Sequence, residues 1–169
     1  MTLITNDYEA FEFVKNHLLT QKEKSVSETD ECLYRGYSST KIEELKSEAR
    51  DIALEENILF EDEDDQVFYE LLADETPDAM CAVGCLILEI FYDPEMEGKT
   101  LEADEFIWDA VVASNPVWKM NSDSYHMLKM LQNIHDGDQP QNWEIRLSQI
   151  SSNFNEYGDY KERKIQVEE

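Results

Sequence analysis

Three thiols, an imidazole and a carboxylate are the side chains of this sequence whose types suit covalent chemistry: Cys32, Cys81 and Cys85, with His135 followed directly by Asp136. A thiol beside an imidazole that a carboxylate orients is the general form of an activated nucleophile. Cys32 or Cys81 with His135 and Asp136 is therefore the candidate catalytic set. The competing reading is packing, because Cys is among the most often buried residue types and fills space as a small hydrophobe. Cys81 and Cys85 four residues apart, with Cys32, His126 and His135, supply enough donors for a tetrahedral zinc set. The spacing is not that of a zinc module, whose paired thiols sit on a tight turn. His135 before Asp136 and Gly137 also suits a helix end, where an imidazolium meets the helix dipole. Packing is the preferred reading, an enzyme the alternative, and no metal or cofactor is expected.

Other chemistries find no support. The run Glu61-Asp62-Glu63-Asp64-Asp65 lacks the alternating ligands and the glycine of a calcium loop. Five scattered glycines form no phosphate-binding loop, and neither a G-x-S-x-G nor an H-E-x-x-H element occurs.

The elements that must position these residues follow from periodicity. Thr76 to Asp93 is the one long apolar run, and Pro77 suits a first helical position, so a buried central helix is expected from Pro77 to Tyr92. Around it, apolar spacing predicts helices from Asn6 or Asp7 to Leu19, from a Thr40–Glu43 capping box to about Asn57, and over Val67 to Leu72. Further helices are expected from Leu101 to Ser114, from Ser122 to Gly137, and from Pro140 to about Tyr157. The expected fold is mainly α, a single compact domain of about seven helices over residues 1–158. At most one short β element is expected near Cys32–Tyr37, and residues 159–169 read as a flexible charged tail.

Charge is the strongest compositional signal. The chain of 169 residues carries 39 acidic and 14 basic side chains, a net charge of -25, which costs stability through self-repulsion unless a cationic partner offsets it. From Asp51 through Glu97 there is no Lys or Arg. Phosphate contacts need basic side chains, so direct nucleic-acid binding is not expected. An odd number of cysteines without a hydrophobic signal region reads as reduced, and no apolar run is long enough to span a membrane. A cytoplasmic protein is expected.

Several short elements carry a resemblance. Cys32-Leu33-Tyr34-Arg35-Gly36, then Cys81-Ala82-Val83-Gly84-Cys85-Leu86-Ile87, then Tyr92-Asp93-Pro94-Glu95-Met96-Glu97-Gly98, then Leu131-Gln132-Asn133-Ile134-His135-Asp136, then Trp143 occur in that order. In this the chain resembles a family of small phage and bacterial proteins of unknown function, in which the C-x-Y-R-G element stands only a few residues before C-A-[IV]-G-C-L-I. The resemblance spans about half the chain and brings no activity with it. Here about forty residues intervene, so an acidic insert is expected at about 38–79.

Charge and resemblance together imply an acidic, phage-type binding protein. Its expected partner is a basic, nucleic-acid-binding host protein, a defence nuclease or restriction component, met in the host cytoplasm. Glu55, Glu56, Glu61, Asp62, Glu63, Asp64, Asp65, Asp74 and Glu75 are the expected contacts, standing in for nucleic-acid phosphates. The alternatives are a thiol-dependent enzyme and a structural or assembly protein.

Overall fold

The computed structural model describes residues 3–27, 33–55, 63–102 and 105–161, and for residues 55 and 63–66 the backbone alone. In chain order the elements are α1 (Asp7–Gln21), β1 (Ser25–Val26), β2 (Arg35–Ser38), α2 (Ser39–Glu55), α3 (Glu63–Ala73), β3 (Ala79–Met80), α4 (Glu105–Ser114), α5 (Ser122–Gly137) and α6 (Trp143–Ser151). The protein is mainly helical, as its periodicity predicts.

The main core lies where α1, α5 and α6 meet. Asn6 starts α1 by accepting the Glu9 N–H at 2.9 Å, and the inner face then buries Ala10, Phe11, Val14 and Leu18. Asn121 caps α5 reciprocally with Ser124, one residue before the expected Ser122–Asp123 start. Trp143 and Leu147 of α6 are fully buried against α5 and α1. The Asp7 carboxylate is buried among these elements. It accepts from Trp118 Nε1 at 2.7 Å, Ser124 Oγ at 2.6 Å and the Tyr160 N–H at 2.9 Å, which joins four parts of the chain through one group. Tyr160 is itself fully buried and bridges Phe154, so the chain is docked through Lys161 and is not a tail from 159.

The expected central helix does not form. After β3 the chain runs as an irregular strap over residues 81–98, with single 3-10 turns at Gly84–Leu86, Glu89–Phe91 and Pro94–Met96. Cys81, Ala82, Val83, Leu86 and Ile87 are buried in the main core, so the apolar run correctly reported burial. Its backbone is satisfied by short turn bonds together with neighbouring side chains, not by a continuous helical ladder. The Val83 N–H donates to Gln132 Oε1 at 3.1 Å and the Leu88 N–H to Ser114 Oγ at 2.9 Å. Asn115 Nδ2 donates to the Leu86 carbonyl and Arg35 to the Ile87 carbonyl, each at 3.0 Å. Buried peptide groups must be paired, and here long-range partners outcompete the local ladder.

Three strands in the antiparallel order β1-β2-β3 make a small sheet, where one short β element was expected. Strands of two residues are too short to leave an alternating pattern in the sequence. Between β2 and β3 the chain leaves as a helical hairpin, α2 against α3, over a second small core of Val26, Ile42, Leu45, Ala49 and Phe68. Its two ends meet at the sheet, where Asp78 accepts the Ser38 N–H at 2.7 Å. The expected Thr40–Glu43 capping box is replaced: Glu23, from the α1–β1 turn, accepts the Thr40 N–H and hydroxyl, both at 2.9 Å. Two further boundaries differ, since α4 starts at Glu105 and α6 ends at Ser151.

Gly84 sets the approach of the strap to β2, because a Cβ there would lie 2.0 Å from the Tyr34 carbonyl oxygen. Gly84→Ala is predicted to lower stability in urea unfolding by about 2–3 kcal/mol, the usual cost of overpacking. Gly137→Ala, whose Cβ would meet nothing within 4 Å, is predicted to change it by less than about 0.5 kcal/mol.

Candidate functional site

The structure assigns scaffold roles to the candidate catalytic residues that it describes. Cys32 lies outside the described residues. Cys81 is buried, and its Sγ accepts the Gly84 N–H at 3.2 Å. Cys85 is partly buried, its thiol donates to the Ala82 carbonyl at 3.2 Å, and desolvation pushes the thiol well above its ordinary range. The Cys85 N–H donates to the Cys81 carbonyl at 3.2 Å, so the two cysteines span a single turn and not a continuous helix.

His135 is fully buried and stacks on Trp143 with ring centres 5.4 Å apart. Its Nε2 accepts the Ser25 N–H at 3.2 Å, which requires a lone pair there and places the proton on Nδ1. Nδ1–H then donates to Asp136 Oδ1 at 2.8 Å, and Gln132 Nε2 donates to the same oxygen at 2.8 Å. Nε2 thus ties β1 to α5, while Nδ1–H is held by Asp136 within α5. Cys81 and Asp136 do line one cleft of about 370 Å³, with Tyr34, Lys99, Lys129 and Gln132, but His135 is not in its lining. No group of three or more His, Cys, Asp or Glu among the described residues is arranged to hold a metal ion.

A latch that the sequence did not reveal joins the strap to β2. Glu97 accepts the Tyr34 N–H at 2.7 Å, the Arg35 N–H at 3.0 Å and the Tyr92 hydroxyl at 2.7 Å. Burial, then the Glu97 carboxylate, push the Tyr92 hydroxyl far above its usual range. The Arg35 guanidinium lies 4.5 Å over the Tyr92 ring and pairs with Glu89, while its buried Nε makes no hydrogen bond. The motifs around Tyr34, Gly84, Tyr92, Gln132 and His135 therefore converge as one packed joint.

The acidic candidates fall on the hairpin and its connections. Glu56, Glu61 and Asp62 lie outside the described residues. Glu55 ends α2, and Glu63, Asp64 and Asp65 open α3. Asp74 is exposed, whereas Glu75 is half-buried and pairs with Lys41 at 2.8 Å, which raises the Lys41 ammonium above its usual value. The sequence reading overlooked the outer face of α2, where Glu43, Glu44, Glu48 and Asp51 are all exposed. Their position could have been found from the Ile42, Leu45, Ala49 stripe, which faces the opposite way. Glu70 and Asp74 continue the surface on α3 and just beyond it.

No family model, no curated protein and no solved structure matches the chain. The motif resemblance gains nothing from these comparisons, and function has to be argued from the surface itself. No helix among the described residues is long and apolar enough to cross a membrane.

Histidine also holds the other edge of the sheet, where His17 Nε2–H donates to the Met80 carbonyl at 2.9 Å. Desolvation, with a smaller contribution from His135, holds the His17 pKa below its ordinary 6.5. Above that pH the ring is neutral folded and unfolded, so it contributes no pH dependence. As pH falls through 6.5 the unfolded chain takes the proton first, and folding stability is lost until the folded ring titrates. Urea unfolding from pH 7 to 5 is predicted to show the native protein losing stability relative to His17→Gln, which keeps a donor for Met80.

Proposed function

We propose that the protein is an acidic binding protein that occupies the cationic, nucleic-acid-handling surface of a partner protein and blocks it, with the α2–α3 hairpin as the contact. The observation that carries this reading is the distribution of charge on that hairpin. Glu43, Glu44, Glu48, Asp51, Glu70 and Asp74 are exposed on it, and its cations, Lys41, Lys46 and Arg50, all lie on α2. Lys41 is engaged by Glu75. In an ordinary exposed helix, acids alternate with lysines at i and i+4, which stabilises the helix and cancels its field. A hairpin that forgoes this cancellation projects a negative potential, and such a field speeds association with a basic groove.

Glu44, Glu48 and Asp51 recur about once per helical turn, roughly every 5–6 Å along the axis. Duplex DNA carries one charge about every 1.7 Å of its axis. The hairpin therefore competes through its field and its shape at a groove, and does not reproduce a phosphate ladder charge for charge. A nuclease or a restriction component is the class of protein whose groove has that chemistry. The net charge of -25 makes direct nucleic-acid binding by the protein the disfavoured mode.

The test begins with a pull-down from bacterial lysate washed at low and at high salt, which identifies a basic partner held only at low salt. Glu44→Lys, Glu48→Lys, Asp51→Lys and Asp74→Lys combined are then predicted to weaken its binding by on the order of 100-fold, since each reversal replaces attraction by repulsion. Unchanged affinity in a variant that keeps its helical circular dichroism would overturn the proposal.

A further inference from the structure

Beyond the hairpin, α1 leaves one flank uncovered. Its inner face is committed to the core, but Glu9, Glu12, Phe13, Asn16, His17 and Thr20 line a groove of about 740 Å³ on the other side. Leu3 and Tyr8 border it near the start of α1, and Asp78, at the root of the hairpin, borders it at the far end. From Tyr8 to Gln21 the groove follows about 20 Å of helix. Its surface is mainly apolar, with Leu3 and Tyr8 exposed by 65% and 44%.

The charge around this floor has one sign. Glu9, Glu12 and Asp78 are in the lining and no Lys or Arg is. Lys15 is held against Glu12 at 2.9 Å and over the Phe11 ring. Against a net charge of -25, a second copy of this chain is repelled from such a rim. An apolar floor between carboxylates instead matches an amphipathic helix with Leu or Phe on one face and Lys or Arg beside it, anchored at i, i+3 or i+4, and i+7.

We propose that the α1 groove binds a basic amphipathic helical segment of a protein partner, its apolar face on Tyr8 and Phe13 and its cations against Glu9, Glu12 and Asp78. The site is distinct from the hairpin's outer face and does not rest on the function proposed above.

The probe is a fluorescein-labelled 14-residue Leu/Lys amphipathic peptide, titrated into the full-length protein by anisotropy and followed by amide chemical shifts. Saturable 1:1 binding is expected, with shifts centred on residues 3–21 and Asp78. Tyr8→Ser and Glu12→Lys are each expected to weaken it at least tenfold, and a Ser/Lys peptide of equal charge to bind at least tenfold more weakly. Glu44→Lys with Glu48→Lys is expected to change it less than threefold, which separates this site from the hairpin. Equal binding of the two peptides, shifts centred on the hairpin, or a dimer of the free protein that Tyr8→Ser dissolves would each overturn the proposal.

Discussion

Everything in this structure depends on satisfying the peptide groups of a buried segment that has no regular secondary structure. The strap over residues 81–98 crosses the core, and each buried N–H or carbonyl left unpaired there would cost about 1–3 kcal/mol. Gln132 from α5, Ser114 and Asn115 from the end of α4, and Arg35 from β2 each supply a partner. Those side chains serve only if the elements that carry them are held at fixed distances. The hydrogen-bonding demand of one loop thus dictates the arrangement of the helices around it, and the Glu97 latch and the Gly84 approach set its position against the sheet.

The same joint determines where the acidic hairpin stands. β2 pairs with the β3 strand that opens onto the strap, and β1 is held to α5 through His135. The C-terminal end of α1 grips β3 from the side: Gln21 both donates to and accepts from the Met80 backbone, at 3.1 and 3.0 Å. The hairpin is anchored at both ends of its chain, and its second core leaves Glu43, Glu44, Glu48, Asp51, Glu70 and Asp74 exposed. A carboxylate surface of this kind is useful for recognition only on a firm mount, because repulsion among its charges would otherwise spread it. Cys81, Cys85 and His135 contribute to that mount through packing and hydrogen bonds.

The amphipathic helices were legible in the sequence because their stripes are local: α1, α2, α4 and α5 lie close to where their apolar spacing places them. The strap was not, since a run apolar on all sides signals burial, and helix and irregular chain look alike when both are buried. Deciding between them required knowing that Gln132 and Ser114 would face Val83 and Leu88, contacts spanning 49 and 26 residues. Of the sheet only β2 was legible, at the short β element expected near Cys32–Tyr37, since β1 and β3 are strands of two residues. For the candidate sites, composition gave the charge and its run without cations, yet attention to the longest acidic run passed over the α2 face. Of the thiols, His135 and Asp136 that the sequence singled out, His135 and Asp136 are hydrogen-bonded to each other, while Cys81 and Cys85 bond locally within the strap.

The most direct measurement is excision of the hairpin. The register that pairs Gly36 with Ala79 places Tyr37 opposite Asp78, so replacing residues 38–77 by Asn-Gly closes β2 onto β3 with a two-residue turn. Amide hydrogen exchange on this shortened protein reads the strap and the charged module together with partner binding. The structure predicts that the Val83 and Leu88 amides stay protected, and the proposed function that the salt-sensitive partner is no longer retained. Rapid exchange at those amides, or a partner still held without the hairpin, would contradict a latched body that presents a separate acidic binding module.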